Sequence, residues 1–418
     1  MIPGLKRPGM YSGSVPMFSF LRRMDPSRRR LLLTCFYAFF CSGMVSLMLG
    51  SAMPDLKRSW GLSDSFSGVL LSAHSIGNLV AGFVSGIVPF WLGRRRSITL
   101  LASLAFLGMA LMAVTGIPGL LFAAFVLTGV GRGSVTNFNN HTVNALTDGS
   151  PAASNILHAC FAVGAITAPM AFLLLSRVAA WQAGLFFVVL CGVAAVFLFS
   201  RSQVPDDRPD RKQKEARTMA FLKEPAFLVF AGMMFCYICS EYAINGWLVT
   251  YLQHKQSLFT AMGEGGITAY SQSMATLLWA VILAGRLTCA WLSRKISQKI
   301  LMFVAAIGMA ACFAGMLFAS AVPVVTGCIA GMGFCMAGIC PMIYSDAVHY
   351  TNTYPLATGT LLAFGAAGGI LMPALVGFLA QSGGFETSMT AILVSIVLLT
   401  VFSAVNIRTK TRKGVSET

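Results

Sequence analysis

The sequence predicts an all-α, polytopic membrane protein, and three observations predict it. The 418 residues are 56% hydrophobic and only 11% charged, where a soluble domain carries about a quarter charged residues. The mean hydropathy is +0.75. The apolar residues form long unbroken runs instead of amphipathic stripes, so lipid is the solvent they are matched to.

Twelve runs are long enough to span: 31–53, 65–91, 97–115, 119–146, 153–176, 180–200, 225–252, 267–292, 300–320, 323–346, 357–380 and 386–405. The net charge of +16 tracks the loops between them. One set of loops and tails holds 24 Lys and Arg, in 1–30, Arg94–Arg96, 201–223, 294–299 and 408–413. The other set holds four: Lys57, Arg58, Arg177 and Lys255. That asymmetry is the positive-inside pattern, with both termini cytoplasmic in the plasma (inner) membrane, and it excludes a nucleic-acid footprint.

The first thirty residues lack the apolar core and cleavage site of a signal peptide, so the first span is expected to stay. They read as a basic cytoplasmic tail, and 406–418 as a second one. The polar stretch 201–223, with Pro205 and Pro209, reads as a cytoplasmic linker dividing bundle 31–200 from bundle 224–405. All eleven cysteines fall inside spans; Cys236 and Cys239 form a CxxC that on a lipid-embedded helix reads as packing.

The halves repeat at an offset near 204. Gly164 and Pro169 correspond to Gly368 and Pro373, and Gly86–Phe90 falls opposite Ala290–Arg294. Gly129 and Gly131 are matched to Gly331 and Gly333, at an offset of 202. Six spans per half give both halves the same orientation. This is the parallel repeat of a twelve-helix carrier with its site at the midplane between two six-helix bundles.

Glu241 in the seventh span is the only carboxylate deep inside an apolar run, a functional position by default. The fourth span adds Arg132, Thr136, Asn140 and Asn144 at four-residue steps, with Asn137 and His141 beside them. So many amides around a mid-span arginine point to a water-filled solute cavity. Asn137, Asn140, His141, Asn144, Glu241, Asn245, Trp247, Gln272 and Trp279 are therefore the expected solute contacts. Glu241 and His74 are the candidate coupling residues. Arg132, Arg286 and the turn Gly93, Arg94 and Arg95 are expected to gate or brace.

The stretch Gly86, Val88, Gly93, Arg94, Arg95 resembles the second-to-third-helix signature of the major facilitator superfamily, with Phe90 where that family has an acid. Gly129–Gly133 followed by Asn140, Leu157–Gly164 with Pro169, Glu241–Trp247, and Ala363–Gly368 with Pro373 together resemble the fucose:proton symporter family within it. That resemblance implies uptake of a hexose with a proton. It also implies acids on the first and fourth helices, where this chain has none: 31–53 carries no acid, and Thr136 stands at the fourth-helix position.

The function expected is secondary active transport of a small polar solute, a sugar first, by alternating access and coupled to a proton or sodium. An organic-anion carrier using Arg132, a drug-type efflux carrier and a non-transporting sensor are the alternatives. No nucleotide-binding glycine loop, catalytic constellation or metal set occurs, so no enzyme activity and no cofactor is expected. A monomer is expected.

Overall fold

The computed structural model describes residues 24–147, 150–204, 220–255, 259, 262–293 and 295–408. Most of both tails, most of the 201–223 linker, and Arg294 of the second signature copy lie outside the described residues.

Helix α1 (Pro26–Trp60) starts where Asp25 accepts from the Ser27 and Arg28 backbone N–H groups, with Pro26 at the first helical position. It stops at Gly61, whose φ of 63° suits a residue without a side chain. Then follow α2 (Asp64–Leu92), α3 (Arg94–Val114), α4 (Pro118–Leu146), α5 (Pro151–Val178) and α6 (Gln182–Arg201). The second half continues with α7 (Pro225–His254), α8 (Glu264–Leu292) and α9 (Gln298–Phe318). These nine helices correspond to the first nine predicted spans.

The tenth span departs from expectation. It is split into α10 (Val322–Met336) and α11 (Ile339–Asp346). The physical reason is Pro341, whose ring would collide with a helical carbonyl four residues back, at Ala337, the residue that caps α10. A short α12 (Val348–Thr353) follows, and then one long α13 (Pro355–Arg408). Spans eleven and twelve are both inside α13, which breaks at Gly384 (φ 80°, ψ 166°) without a connecting loop. Eleven described helical stretches are long and apolar enough to cross a bilayer. The last of them is 53 residues, more than twice the ~20 that one crossing needs, so the chain crosses twelve times.

Within the first half α1 packs on α5, α2 on α4, and α3 on α4 and α6. The second half repeats this with α7 on α13, α8 on α10, and α9 on α10. Across the halves α2 meets α13, α5 meets α8, and α1 meets α7. The arrangement is two six-helix bundles around a central cavity.

The repeat explains its own glycines. A Cβ on Gly164 would overlap the Phe40 carbonyl, and one on Gly368 would press on that of Phe235, so both bundles use the same close approach. For the other glycine pair the structure corrects the register. Gly129 abuts the His74 carbonyl and Gly333 that of Leu278. The counterpart of Gly129 is therefore Gly333, at the same 204-residue step as the rest, and not Gly331. Two glycines two residues apart in each helix made either alignment possible; the facing carbonyl selects one.

Burial is uneven along the bundle. The end bearing the α1–α2 and α7–α8 connections is closed, and is called here the far end. The end bearing the chain termini is splayed. On α2 no residue after Ala81 is buried, and on α8 none after Gly285.

Candidate functional site

Seven helices contribute to a cavity of about 200 Å³ between the halves. The first half supplies Ser46 (α1), His74 (α2), Arg132 and Thr136 (α4), and His158 and Phe161 (α5). The second half supplies Glu241, Tyr242 and Asn245 (α7), with Trp279 and Arg286 (α8). Of the residues singled out from the sequence, the structure brings together His74, Arg132, Glu241, Asn245, Trp279 and Arg286.

The charges here are not locked in pairs. Among the described residues the ion pairs are Asp25–Arg28, Lys57–Asp64 and Asp55–Arg58, none of which touches the cavity. Arg132 makes one long hydrogen bond, Nη1 to Asn78 Oδ1 at 3.4 Å, and its Nε is buried without a partner. Its guanidinium centre stands 5.4 Å from the Phe161 ring centroid. The field of Arg286, and after it that of Arg132, reaches the Glu241 carboxylate, while Tyr237, one turn away, donates from its hydroxyl to the Met336 carbonyl at 3.3 Å.

The neutral polar groups are more committed. Thr136 Oγ1 donates to the Arg132 carbonyl at 3.0 Å and Ser46 Oγ to that of Ser42 at 3.0 Å. Trp279 Nε1 donates to Asn245 Oδ1 at 3.1 Å, and His74 Nδ1 is 2.9 Å from Thr128 Oγ1. Three aromatic rings form one wall: Phe39 to Phe161 at 5.7 Å and Phe161 to Trp279 at 5.5 Å. His158 stands edge-on to Phe39 at 5.5 Å.

The remaining expected residues lie elsewhere. Trp247 is fully buried toward the far end, where its indole donates to the Pro373 carbonyl at 3.1 Å and its ring meets Phe385. Gln272, also fully buried, donates from Nε2 to the Ser51 carbonyl at 2.8 Å, joining α8 to α1. Both hold the closed end and do not line the cavity.

Asn137, Asn140, His141 and Asn144 lie one to three turns from Arg132 along α4, toward the splayed end, and do not line the cavity. Asn137 Nδ2 donates to Ser85 Oγ at 3.1 Å and Asn140 Nδ2 to the Thr136 carbonyl at 2.9 Å. His141 faces the Arg94 guanidinium at 3.3 Å. Gly93 sits at φ 74° between α2 and α3, and Arg95 is exposed beside it. Ser46, Tyr242, Phe39 and Phe161 line the cavity without having been singled out as solute contacts. No spacing on one helix says which turn will face the other half.

Comparison with known proteins agrees with this architecture. A Bacillus subtilis (strain 168) protein that carries the name niacin/nicotinamide transporter is 24% identical over 374 residues, 85% of this chain and 89% of that one. The crystal structure of a nucleoside transporter superposes with a TM-score of 0.73 at 14% identity, over 91% of this chain and 99% of the other. The Escherichia coli fucose:proton symporter gives 0.60 at 17% identity, over 92% and 100%. At such identities these structures establish the fold alone. The family model described as Major Facilitator Superfamily matches residues 35–354. With three quarters of its length so matched, twelve crossings in two repeated bundles and a cavity between them, the chain belongs to the major facilitator superfamily, a family of membrane transporters and not of enzymes.

Proposed function

We propose that this transporter is a secondary carrier of a small organic anion, with Arg132 as the counter-charge for the solute carboxylate. The observation that carries this reading is the charge inventory of the cavity. Two guanidinium groups face it and one carboxylate, and among the described residues Arg132 has no acidic partner within 4 Å. An uncompensated charge removed from water is expensive, and a solute carboxylate supplies the missing partner bidentately, in the geometry guanidinium favours. The names of the relatives above span a vitamin, nucleosides and a sugar, so kinship does not choose the solute.

A sugar, the solute expected first from the sequence, fits this cavity less well. Thr136 and Ser46 direct their hydroxyl protons into their own helices, and the Asn245 oxygen is taken by Trp279. The donors left for a ring of hydroxyls are chiefly the two guanidinium groups, which match an acid better, and the amide-rich face of α4 lies outside the cavity. The test is direct binding to the purified protein. Arg132→Gln is expected to weaken carboxylate solutes by about tenfold to more than a hundredfold, as loss of a charged hydrogen-bonding partner of ~1.5–3 kcal/mol implies, and to leave neutral ligands unchanged. Equal affinity of wild type and variant for every carboxylate would sink the reading.

We place the splayed end in the cytoplasm, from the 24-to-4 division of basic residues, which makes this conformation inward-facing in the plasma membrane. A cysteine at Arg58 should then react with an impermeant thiol reagent in intact cells, and one at Arg201 should not. Coupling to a proton is assigned to Glu241, the one acid lining the cavity, in the field of both arginines. Glu241→Gln mimics the protonated side chain; it should lose gradient-driven accumulation and keep exchange. Accumulation surviving in that variant would remove Glu241 from coupling.

A further inference from the structure

Resting on the organic-anion reading, the geometry points to a narrower solute class: we infer that the cavity takes a monocyclic aromatic carboxylate, with Phe161 and Trp279 as its specificity-determining residues. The room is small. A volume of about 200 Å³ is below the 300–1,000 Å³ usual for drug-sized ligands, which suits a single ring with a short acid group.

The wall nearest the counter-charge is aromatic. Arg132 stands 5.4 Å from the Phe161 centroid, and Phe161 stands between Phe39 and Trp279 at 5.7 and 5.5 Å. A carboxylate paired to that guanidinium must carry the rest of its molecule along these rings. They are tilted by 57° and 58° to one another, so an incoming planar ring meets a face of one and an edge of the next. Those are the two arrangements that the aromatic quadrupole favours. Trp279 is held in place by the hydrogen bond from its indole to Asn245, at 3.1 Å. The wall also joins the halves, Phe39 and Phe161 belonging to one bundle and Trp279 to the other. A ring stacked there touches both bundles at once, as a solute that reports its presence to a two-bundle carrier must. An aliphatic polyol has no π-face to offer this wall, and the hydroxyl protons of Ser46 and Thr136 already go to their own helices.

Three probes separate this proposal from the reading beneath it: benzoate, cyclohexanecarboxylate and benzamide, titrated calorimetrically into the purified full-length protein. Benzoate and cyclohexanecarboxylate share the acid and differ in the π-face; benzoate and benzamide share the ring and differ in charge. The expected result is benzoate about three- to tenfold tighter than cyclohexanecarboxylate, with benzamide weaker than both. Phe161→Leu and Trp279→Leu should each bring the benzoate-to-cyclohexanecarboxylate ratio toward one, whatever their effect on the affinity for both acids. Equal affinities for the two acids in wild type overturn the aromatic proposal and leave the anion reading standing. Benzamide matching benzoate overturns the anion reading. A wild-type preference for benzoate that survives both leucine variants removes these two residues from specificity. Because the wild-type ratio is decisive alone, a variant that fails to fold does not remove the test.

Discussion

The two ends of the transporter are built differently, although the same helices run through both. At the far end backbone meets backbone. From the cavity outward, a Cβ on Gly50 would overlap the Asn245 carbonyl, and Gly68 of α2 lies against Pro373 and Gly377 of α13. Hydrogen bonds cross between the halves there: Ser72 to Ile370, Gln272 to Ser51, and the Asp64 N–H to Gln381. Phe385, just past the break at Gly384, receives Lys57 from the other half over its ring at 5.4 Å and touches His254 and Trp247 of its own. At the splayed end α2 and α8 run eleven and seven residues, 82–92 and 286–292, without burying one. Small residues and shared carbonyls close one end, and among the described residues nothing comparable closes the other in this conformation. The conformational equilibrium is therefore held at the far end. Switching must dismantle the far-end contacts, and any change that weakens them favours the opposite state.

The largest effect on the closed end is expected at Phe385. Phe385→Ala removes the ring shared by Lys57, His254 and Trp247, and a deletion of that size costs about 3–5 kcal/mol in a packed site. Lower thermal stability is expected. Spin labels at Arg58 and Glu264, one from each half, should also move apart in a cysteine-free background. An unchanged label distance would mean that Phe385 only packs and does not hold the halves together.

Gly68→Leu should act next most strongly, since the added side chain would press on the Pro373 carbonyl and Gly377. Overpacking of about 1–3 kcal/mol shifts a two-state equilibrium by roughly five- to a hundredfold. The same distance measurement reads it, and a distribution identical to wild type refutes it.

Gln272→Leu should do less. It removes one hydrogen bond to Ser51, worth ~1 kcal/mol, so solute affinity should change by no more than about fivefold through the shifted equilibrium. A loss of a hundredfold would instead return Gln272 to the solute. The smallest effect is expected from Asn144→Ala at the exposed end. Stability should stay within about 0.5 kcal/mol of wild type, as at most surface sites, and equilibrium affinity should be unaltered; a tenfold weaker affinity would overturn that.

The fold was legible in the sequence because lipid imposes a strong rule: a crossing needs about 20 apolar residues, and basic residues stay on one side. Where a reading from spacing failed, the cause was local and nameable. Pro341 breaks the tenth span at Ala337, and two glycines two residues apart let the repeat be aligned at 202 instead of 204. The candidate site was legible in part, and the part follows from chemistry. Glu241, Arg132, Arg286 and His74 are ionisable groups inside apolar runs, and their placement in the central cavity is the one that spares them lipid. Amides and tryptophans carry no such compulsion. Gln272 and Trp247 satisfy their donors on carbonyls of Ser51 and Pro373, while the α4 asparagines lie toward the splayed end.

The amino-acid sequence alone carries what must be inside a membrane, how often the chain crosses it, and that the two halves repeat. Only the tertiary structure decided which end is closed, which turn of each helix faces the other bundle, and that Arg132 and Arg286 stand open beside Glu241 instead of being paired with it. Those outcomes depend on distances between helices whose order along the chain says nothing about their relative height. A single glycine or proline contact, such as Gly68 against Pro373, sets that height.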